Sequence, residues 1–443
     1  MIMIRKIILG SSLILVFLAG ISPALTLKES INLALKNNPA VIASQKKLQS
    51  ADARLAQATG VLFPTLKIEG KLGRDYTQPS LVQITSQTSA GAITQNLSFG
   101  TDAATDSRSI TTSLSQPIFV AALFPGISIA QKGFDLARED LNKISLDTSF
   151  NVTQAYFGVL KADRMVKLSE ESREMAESHL KQVKAMLSAG VATQADFLRI
   201  EVQLANSEVA LTRAKNALEI AKDAFNNALG SDLEQNVQLE EEGFNGEILN
   251  LPEYKDLLKM SYNYRPDWKQ YILTKQIAEE NVRIAQTGYL PTVMLSGKTG
   301  NQIIEYPAYR SDVNSWSITG IASWTFFDGL QTQNRIREAA ANLDAQKANE
   351  EQVKNGIALE VRDAYLTLKS AVETIGSAKK AVESAEENHK VSSLRFSSGV
   401  GTNLEVLDAQ VSLTQARVNY LQSLFDVEIA KAKLNKVIGK VII

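Results

Sequence analysis

The chain has 443 residues, with 47 Lys and Arg against 48 Asp and Glu and a formal net charge of −1, which offers no basic field to nucleic acid. It has no cysteine and two histidines, which excludes a disulfide framework, a cysteine nucleophile, a Cys-based metal site and a lipid anchor on an N-terminal Cys. Beyond the leader no segment has the roughly 20 apolar residues of a spanning helix, so a membrane can be entered only as strands.

Arg5 and Lys6 precede an apolar run from Ile7 to Ile21, and Ser22-Pro23-Ala24 supplies small residues for cleavage before Leu25. Residues 1–24 read as a signal peptide, so the mature chain is expected to leave the cytoplasm. A helical pattern then runs from Leu27 to about Gly60 and stops before Pro64. The period changes to two where Leu66, Ile68 and Leu72 alternate with Lys67, Glu69 and Lys71, the pattern of a strand with one apolar and one charged face. A Ser-, Thr- and Gln-rich stretch from about Asp75 to Ser109 reads as a loop. A second alternating run follows, with Ile110, Leu114 and Ile118 opposite Thr111, Ser113 and Ser115, giving a long-looped hairpin over about 64–120.

Small and apolar residues next recur in steps of four and three from Ala130 and Phe134 to Val159 and Val166, the spacing of a left-handed supercoil with a stutter at Thr148. Some 60 residues to Leu187 make a helix of roughly 90 Å, far longer than a compact domain needs. The chain turns at Gly190 and restarts at Thr193 in a shorter return helix that ends near Gly230. Residues 231–251, with Glu240-Glu241-Glu242, read as a linker holding a short strand around Val237 to Leu239.

The order then repeats. A helix from about Glu253 to Thr287 ends before Pro291. Val293, Leu295 and Thr299 alternate with Met294, Ser296 and Lys298, and a fourth strand places Trp316, Ile318, Ala322, Trp324 and Phe326 on one side. Trp316 and Trp324 have the spacing of aromatic girdles at the two edges of a bilayer. The second long helix, from about Leu330 to Arg395, breaks at Ser397-Ser398-Gly399-Val400-Gly401. Its return helix carries an apolar seam at Leu404, Leu407, Val411, Thr414, Val418, Leu421 and Phe425. Gly399 or Gly401 can end the helix in the left-handed conformation, and Thr402 with Glu405 reads as a capping box.

Gly190 and Gly399, Tyr156 and Tyr365, and Gly230 and Gly439 are all offset by 209 positions, whereas Pro39 and Pro64 match Pro266 and Pro291 at an offset of 227. The chain is therefore a tandem duplication, residues 25–230 and 252–443, and the first half is 18 residues longer within its hairpin, since 227 minus 209 is 18. Four amphipathic strands per chain cannot close a membrane barrel, and open edges in lipid are prohibitive. Three chains supply twelve strands and matching numbers of helical stacks. The expected fold is mainly α with a small β part: one continuous trimeric tube in which a 12-stranded membrane β-barrel continues into a long α-helical coiled-coil barrel.

The order of leader, helix ending in Phe63-Pro64 or Leu290-Pro291, strand hairpin, long helix with Ala155-Tyr156-Phe157 or Ala364-Tyr365-Leu366, Gly turn, and return helix opening Glu405-Val406-Leu407-Asp408-Ala409 resembles the TolC-like outer-membrane factor family. The resemblance covers essentially the whole mature chain. It implies that the tube is a trimeric channel-tunnel whose helical part is periplasmic, a homotrimer in the outer membrane of a Gram-negative bacterium, in contact with outer membrane lipid and reaching into the periplasm. There a periplasmic adaptor and an inner-membrane transporter would dock on it for efflux or type I secretion.

Carried over by this resemblance, Glu405 and Asp408 ring the aperture, where three copies would favour cations. The resemblance also implies a latch built from an aromatic and an arginine. Phe396 and Gly401 stand at those two positions here, and Asp196 remains from the first turn. Adaptor docking falls on the small, glycine-bearing turns: Gly190, Val191 and Thr193 in one, Gly399, Val400 and Thr402 in the other. His179 and His389, near the tips, are expected to be solvated rather than metal ligands. Nothing resembles a nucleophile with its base, a phosphate loop or a metal cluster, so neither catalysis nor a cofactor is expected. A soluble periplasmic coiled-coil adaptor would fit the helices alone, but it would have no use for the duplicated strands.

Overall fold

The computed structural model describes residues 24–76, 78–89, 91–99, 103–235, 237–240 and 251–440. The signal peptide, apart from Ala24, and residues 241–250 of the linker lie outside these. The chain divides into two units, one drawn from Met1–Ala43, Asn142–Arg265 and Ile357–Ile443, the other from Ser44–Leu141 and Pro266–Gly356.

The second unit holds the strands. Four of them, β1 (Thr65–Tyr76), β4 (Ala104–Val120), β5 (Thr292–Glu305) and β6 (Arg310–Ser323), form one antiparallel sheet in the order β1-β4-β5-β6. The register joins the alternating runs face to face: Leu66 pairs with Leu114, Gly297 and Ile318 across the sheet, and Ile68 with Thr112, Thr299 and Trp316. The opposite face carries Lys67, Ser113, Lys298 and Ser317 in one row and Glu69, Thr111, Gly300 and Ser315 in the next. Because strand side chains alternate, agreement of four separate registers on one apolar face is a stringent outcome.

Three expectations for the strands need correction. The polar stretch 75–109 is not merely a loop, because β2 (Ser80–Thr88) and β3 (Gly91–Phe99) form a separate antiparallel ribbon within it. Val82, Ile84, Ile93 and Leu97 alternate there with Gln83, Thr85, Thr94 and Asn96, a β pattern hidden by a loop-like composition. Ile118 does not share the row of Ile110 and Leu114, since the ladder shifts between Pro117 and Phe119 and Phe119 takes the place opposite Val293. Proline has no N–H to give the ladder, which is why the irregularity falls there. Lastly, β6 ends at Ser323, so Trp324 and Phe326 lie just beyond the strand, where the Trp324 indole Nε1 donates to the Tyr289 carbonyl at 3.1 Å.

Helices supply the rest: α1 (Leu27–Asn37), α2 (Pro39–Gly60), α3 (Leu123–Ser188), α4 (Gln194–Leu229), α5 (Tyr254–Tyr264), α6 (Pro266–Gln286), α7 (Gln331–Ser397) and α8 (Asn403–Ile438). No helix of the described residues is long and apolar enough to cross a membrane. Each helix read as continuous ahead of a hairpin is in fact two, broken at Asn38-Pro39 and at Arg265-Pro266. In both, proline occupies the first position of the new helix, where its missing N–H is harmless. Asn38 caps the restart through Oδ1, accepting from Ala40 N at 2.9 Å, while its Nδ2 donates to the Ala228 carbonyl at 3.0 Å.

The core of the first unit is built from Ala34, Val152, Tyr156, Phe157, Leu160, Phe225, Leu229 and Phe425. Tyr156 is fully buried, and its hydroxyl donates to the Glu240 carbonyl at 2.6 Å, beside a single parallel bridge between Leu25 and Leu239. That bridge is what the short strand expected around Val237 to Leu239 amounts to among the described residues.

Candidate gate and docking tips

Each long helix ends in the same turn. Gly190 and Gly399 both adopt φ +75°, and the amides of Val191 and Val400 reach back to the carbonyls of Met186 at 2.9 Å and Arg395 at 3.0 Å. This closes off helix-end carbonyls that would otherwise lack partners. Of the two candidate glycines in the second turn, Gly399 takes the left-handed role. Gly401 is needed for space instead: a Cβ there would lie 2.9 Å from Arg395 Cβ and Phe396 N. An arginine cannot enter this position without moving the turn. Val191 and Val400 stand fully outward at the two apexes, and Gly190, Thr193, Gly399 and Thr402 are exposed beside them.

The return helices begin differently. Thr193 and Asp196 make a reciprocal capping box, with Asp196 N donating to Thr193 Oγ1 at 3.2 Å and Thr193 N to Asp196 Oδ2 at 3.1 Å. Hydrogen bonds from Thr193 hold the Asp196 carboxyl below the usual carboxylate range. Thr402 accepts from Glu405 N at 3.2 Å, but the Glu405 carboxylate does not return to Thr402 N. It lies 3.9 Å from Arg395 Nε instead, so only half of the expected capping box exists and the carboxylate stays exposed. Asp408, one turn on, is exposed as well.

Between the hairpins, Val183 of α3, Ile200 of α4, Phe396 of α7 and Val406 of α8 meet in one small core with Leu180, Met186 and Phe197 around it. Phe396 thus stands as a buried plug joining four helices. Against its ring edge sits His179, with centroids 5.3 Å apart. This histidine was expected in solvent. It is only 7% exposed, and its Nε2 lies 2.7 Å from Asn403 Oδ1. Asn403, 3% exposed, donates through Nδ2 to the Asp196 carbonyl at 3.1 Å, so a single amide ties α3, α4 and α8 together. Burial pushes the His179 imidazole below its ordinary pKa. His389 is half-buried and shifted the same way, first by burial and then by the charges of His179 and Arg417. Asn403 is missed by the sequence reading, although an amide at the first position of the face that continues through Val406, Ala409 and Leu413 was its signal.

The apolar seam of α8 is only partly where it was expected: Phe425 is buried and Leu407 and Leu421 pack against the cores, but Leu404 and Val411 turn outward. Val406, Ala409, Gln410 and Leu413 face inward, while Leu404 and Val411 remain 50% and 52% exposed. The outward stripe lines a groove with Leu198 and Val202 of α4, and Arg199 and Asp408 stand at its edge. In the other unit, Trp316 is exposed on the apolar side of the sheet, and Trp324 is exposed just past the end of β6. Past Trp316 on that face Ile110 is joined by Asn301 and Asn314, Leu72 by Arg108, and the ion pairs Arg108–Glu305 at 4.0 Å and Arg74–Asp106 at 3.5 Å follow, so the apolar face gives way to charge at this end.

Comparison with known proteins accounts for this combination of duplicated helical hairpins and an open amphipathic sheet. Residues 30–231 and 257–440 match the family described as outer membrane efflux protein. The chain is similar to the outer membrane protein TolC of Escherichia coli, 22% identical over 437 residues that cover 94% of this chain and 84% of that one. It is likewise 24% identical to the cobalt-zinc-cadmium resistance protein CzcC of Cupriavidus metallidurans, over 97% of this chain and 94% of that one. Among solved structures, the outer membrane protein VceC of Vibrio cholerae superposes with a TM-score of 0.76 at 16% identity, covering 94% of this chain and 96% of that one. The match runs through strands and helices of both repeats, which removes the soluble adaptor as an alternative. The chain belongs to the outer membrane efflux protein family and is an exit duct of the outer membrane, not an enzyme.

Proposed function

We propose that three copies of this chain form the duct, each contributing the four strands of its main sheet to a 12-stranded barrel, and that the hairpin tips gate it. The observation that carries this reading is the sheet itself. One face is apolar and exposed, the other polar, and β1 and β6 stand as unpaired edges. In lipid each unpaired backbone group would cost several kcal/mol, so edges must be closed by copies of the same sheet. The outward stripe of Leu198, Val202, Leu404 and Val411 supports the same conclusion for the helices, since a neighbouring protomer would cover it. Light scattering on detergent-extracted protein, corrected for bound detergent, is expected to give a trimer. A monomer recovered without detergent would sink the reading.

At the tips, the amide of Asn403 with His179 and the Asp196 carbonyl is the latch that replaces an aromatic and arginine pair, and the exposed Glu405 and Asp408 form the charged mouth. The apexes at Val191 and Val400 are the docking points for a periplasmic adaptor that couples the duct to an inner-membrane transporter. With three copies, six carboxylates would surround one axis and concentrate cations there. Glu405→Ala with Asp408→Ala is expected to weaken block by multivalent cations in single-channel recordings by about tenfold. Unchanged block would take these residues out of the mouth.

A further inference from the structure

The two faces of the main sheet treat charge differently. On the apolar side, charges appear only at the end distant from the helices. There they pair across strands, Arg74 with Asp106 and Arg108 with Glu305, while Arg310 pairs with Asp312 along β6. On the polar side the signs do not balance. Lys67 and Glu69 form a pair at 2.5 Å. Lys71, two rows further along β1, and Lys298, in the row of Lys67 two strands away, have no carboxylate in salt-bridge reach among the described residues. Their row neighbours are Ser109 and Gln302 for Lys71, and Ser113 and Ser317 for Lys298, none of them charged. Asp75, at the last paired rows of β1, is the remaining acid on this face.

We propose that Lys71 and Lys298 line the lumen of the barrel and make it prefer anions, so that negatively charged solutes are the class favoured through the membrane part of the duct. The inference rests on the trimeric duct. If the apolar face meets lipid, the polar face meets the water-filled interior. Three copies then place six ammonium groups without a salt-bridge partner on two levels of one ring, alongside three Lys67–Glu69 pairs and against three Asp75 carboxylates, which leaves an excess of positive charge on the wall. Charges of one sign on the wall of a water channel enclosed by protein and lipid focus the field along the axis and raise the local concentration of counter-ions. The amphipathic alternation alone does not require this, because Ser, Thr and Gln satisfy a wet face without any charge.

The test uses the purified trimer in planar bilayers under a potassium chloride gradient, with the reversal potential giving the chloride-to-potassium permeability ratio. To silence the acidic mouth, wild-type barrel residues and Lys71→Gln with Lys298→Gln are compared in a Glu405→Ala, Asp408→Ala background. The lysine replacements are expected to lower the ratio by about threefold or more. Glu69→Gln, which frees Lys67, should raise it. A trimer that conducts with the same ratio before and after the lysine replacements overturns the proposal while leaving the duct intact. Protein that gives neither a trimer nor a conductance overturns the duct reading, and the proposal with it.

Discussion

Asn403→Ala is expected to open the tip. Its side chain is buried and makes two hydrogen bonds, at 2.7 Å to His179 and 3.1 Å to the Asp196 carbonyl, each reaching a different helix. Alanine removes both and strands the imidazole N–H in a buried site, while the Asp196 carbonyl keeps its place in the α4 ladder. Two lost bonds and one unsatisfied group together weaken the arrangement seen here by about 2–4 kcal/mol. At 1.4 kcal/mol per decade that is a shift of roughly 30- to 700-fold toward the open state. The conductance of single trimers should rise, and amides in the first turn of α8 should lose protection from hydrogen exchange. If conductance and protection both stay at wild-type levels, Asn403 is not a latch.

The same contact is expected to make the tip sensitive to acid. In the arrangement seen here burial lowers the His179 pKa, against a weaker opposing pull from its hydrogen bonds to Asn403 and Gln182. The charged groups around it give an imidazolium little help. His389 on α7 and Arg417 on α8 are basic, and Arg417 already occupies Glu386 at 2.7 Å and Glu171 at 3.1 Å. The Asp196 carboxylate on α4 is engaged by Thr193. Once the tip opens and the ring is hydrated, His179 returns to an ordinary pKa near 6.5. Above that pH neither form is protonated and acid has no effect. Below it the open form binds a proton that the closed form refuses, and closure weakens by up to about tenfold per pH unit until the lowered pKa is reached. Conductance should therefore rise as pH falls from about 6.5, and His179→Gln, which keeps a donor without the titration, should flatten the profile.

Much of this architecture is legible in the sequence because periodicity is a geometric signal. Leu66, Ile68, Ile110, Leu114, Trp316 and Ile318 were assigned to one face strand by strand, and the register places them there. The offset of 209 between Gly190 and Gly399 became two turns with the same φ. What failed did so where two readings share one pattern. Leu404 and Val411 belong to a real apolar stripe, but a helix with two apolar stripes does not announce which one its own protomer covers. His179 has no sequence neighbour to mark it as buried, since its partner Asn403 is 224 positions away. The ribbon at 80–99 was masked by composition, although its alternation was present.

The duplication also fixes the largest expected effect on folding. Gly230 and Gly439, one per repeat, cap α4 and α8 at φ +72° and +82°. Each lies directly against the helix break of its own half. A Cβ on Gly230 would come 2.8 Å from Asn38 Cα, and one on Gly439 would come 2.9 Å from Arg265 Cα and N. These contacts are to backbone, which no rotamer change relieves. Gly439→Ala is thus opposed twice, by about 1–2 kcal/mol for the left-handed residue and by about 1–3 kcal/mol for the overlap. The tip glycines separate the two contributions. Gly399→Ala meets open space and carries only the backbone term, whereas Gly401→Ala keeps an ordinary φ and carries only the overlap. Thermal unfolding followed by far-ultraviolet circular dichroism should rank Gly439→Ala, and its repeat mate Gly230→Ala, well below both single-term variants. Equal melting temperatures for Gly439→Ala and Gly399→Ala would mean that Arg265 yields at no cost. The seat of each return helix on the Asn38 and Arg265 breaks would then not be what holds the two repeats in shape.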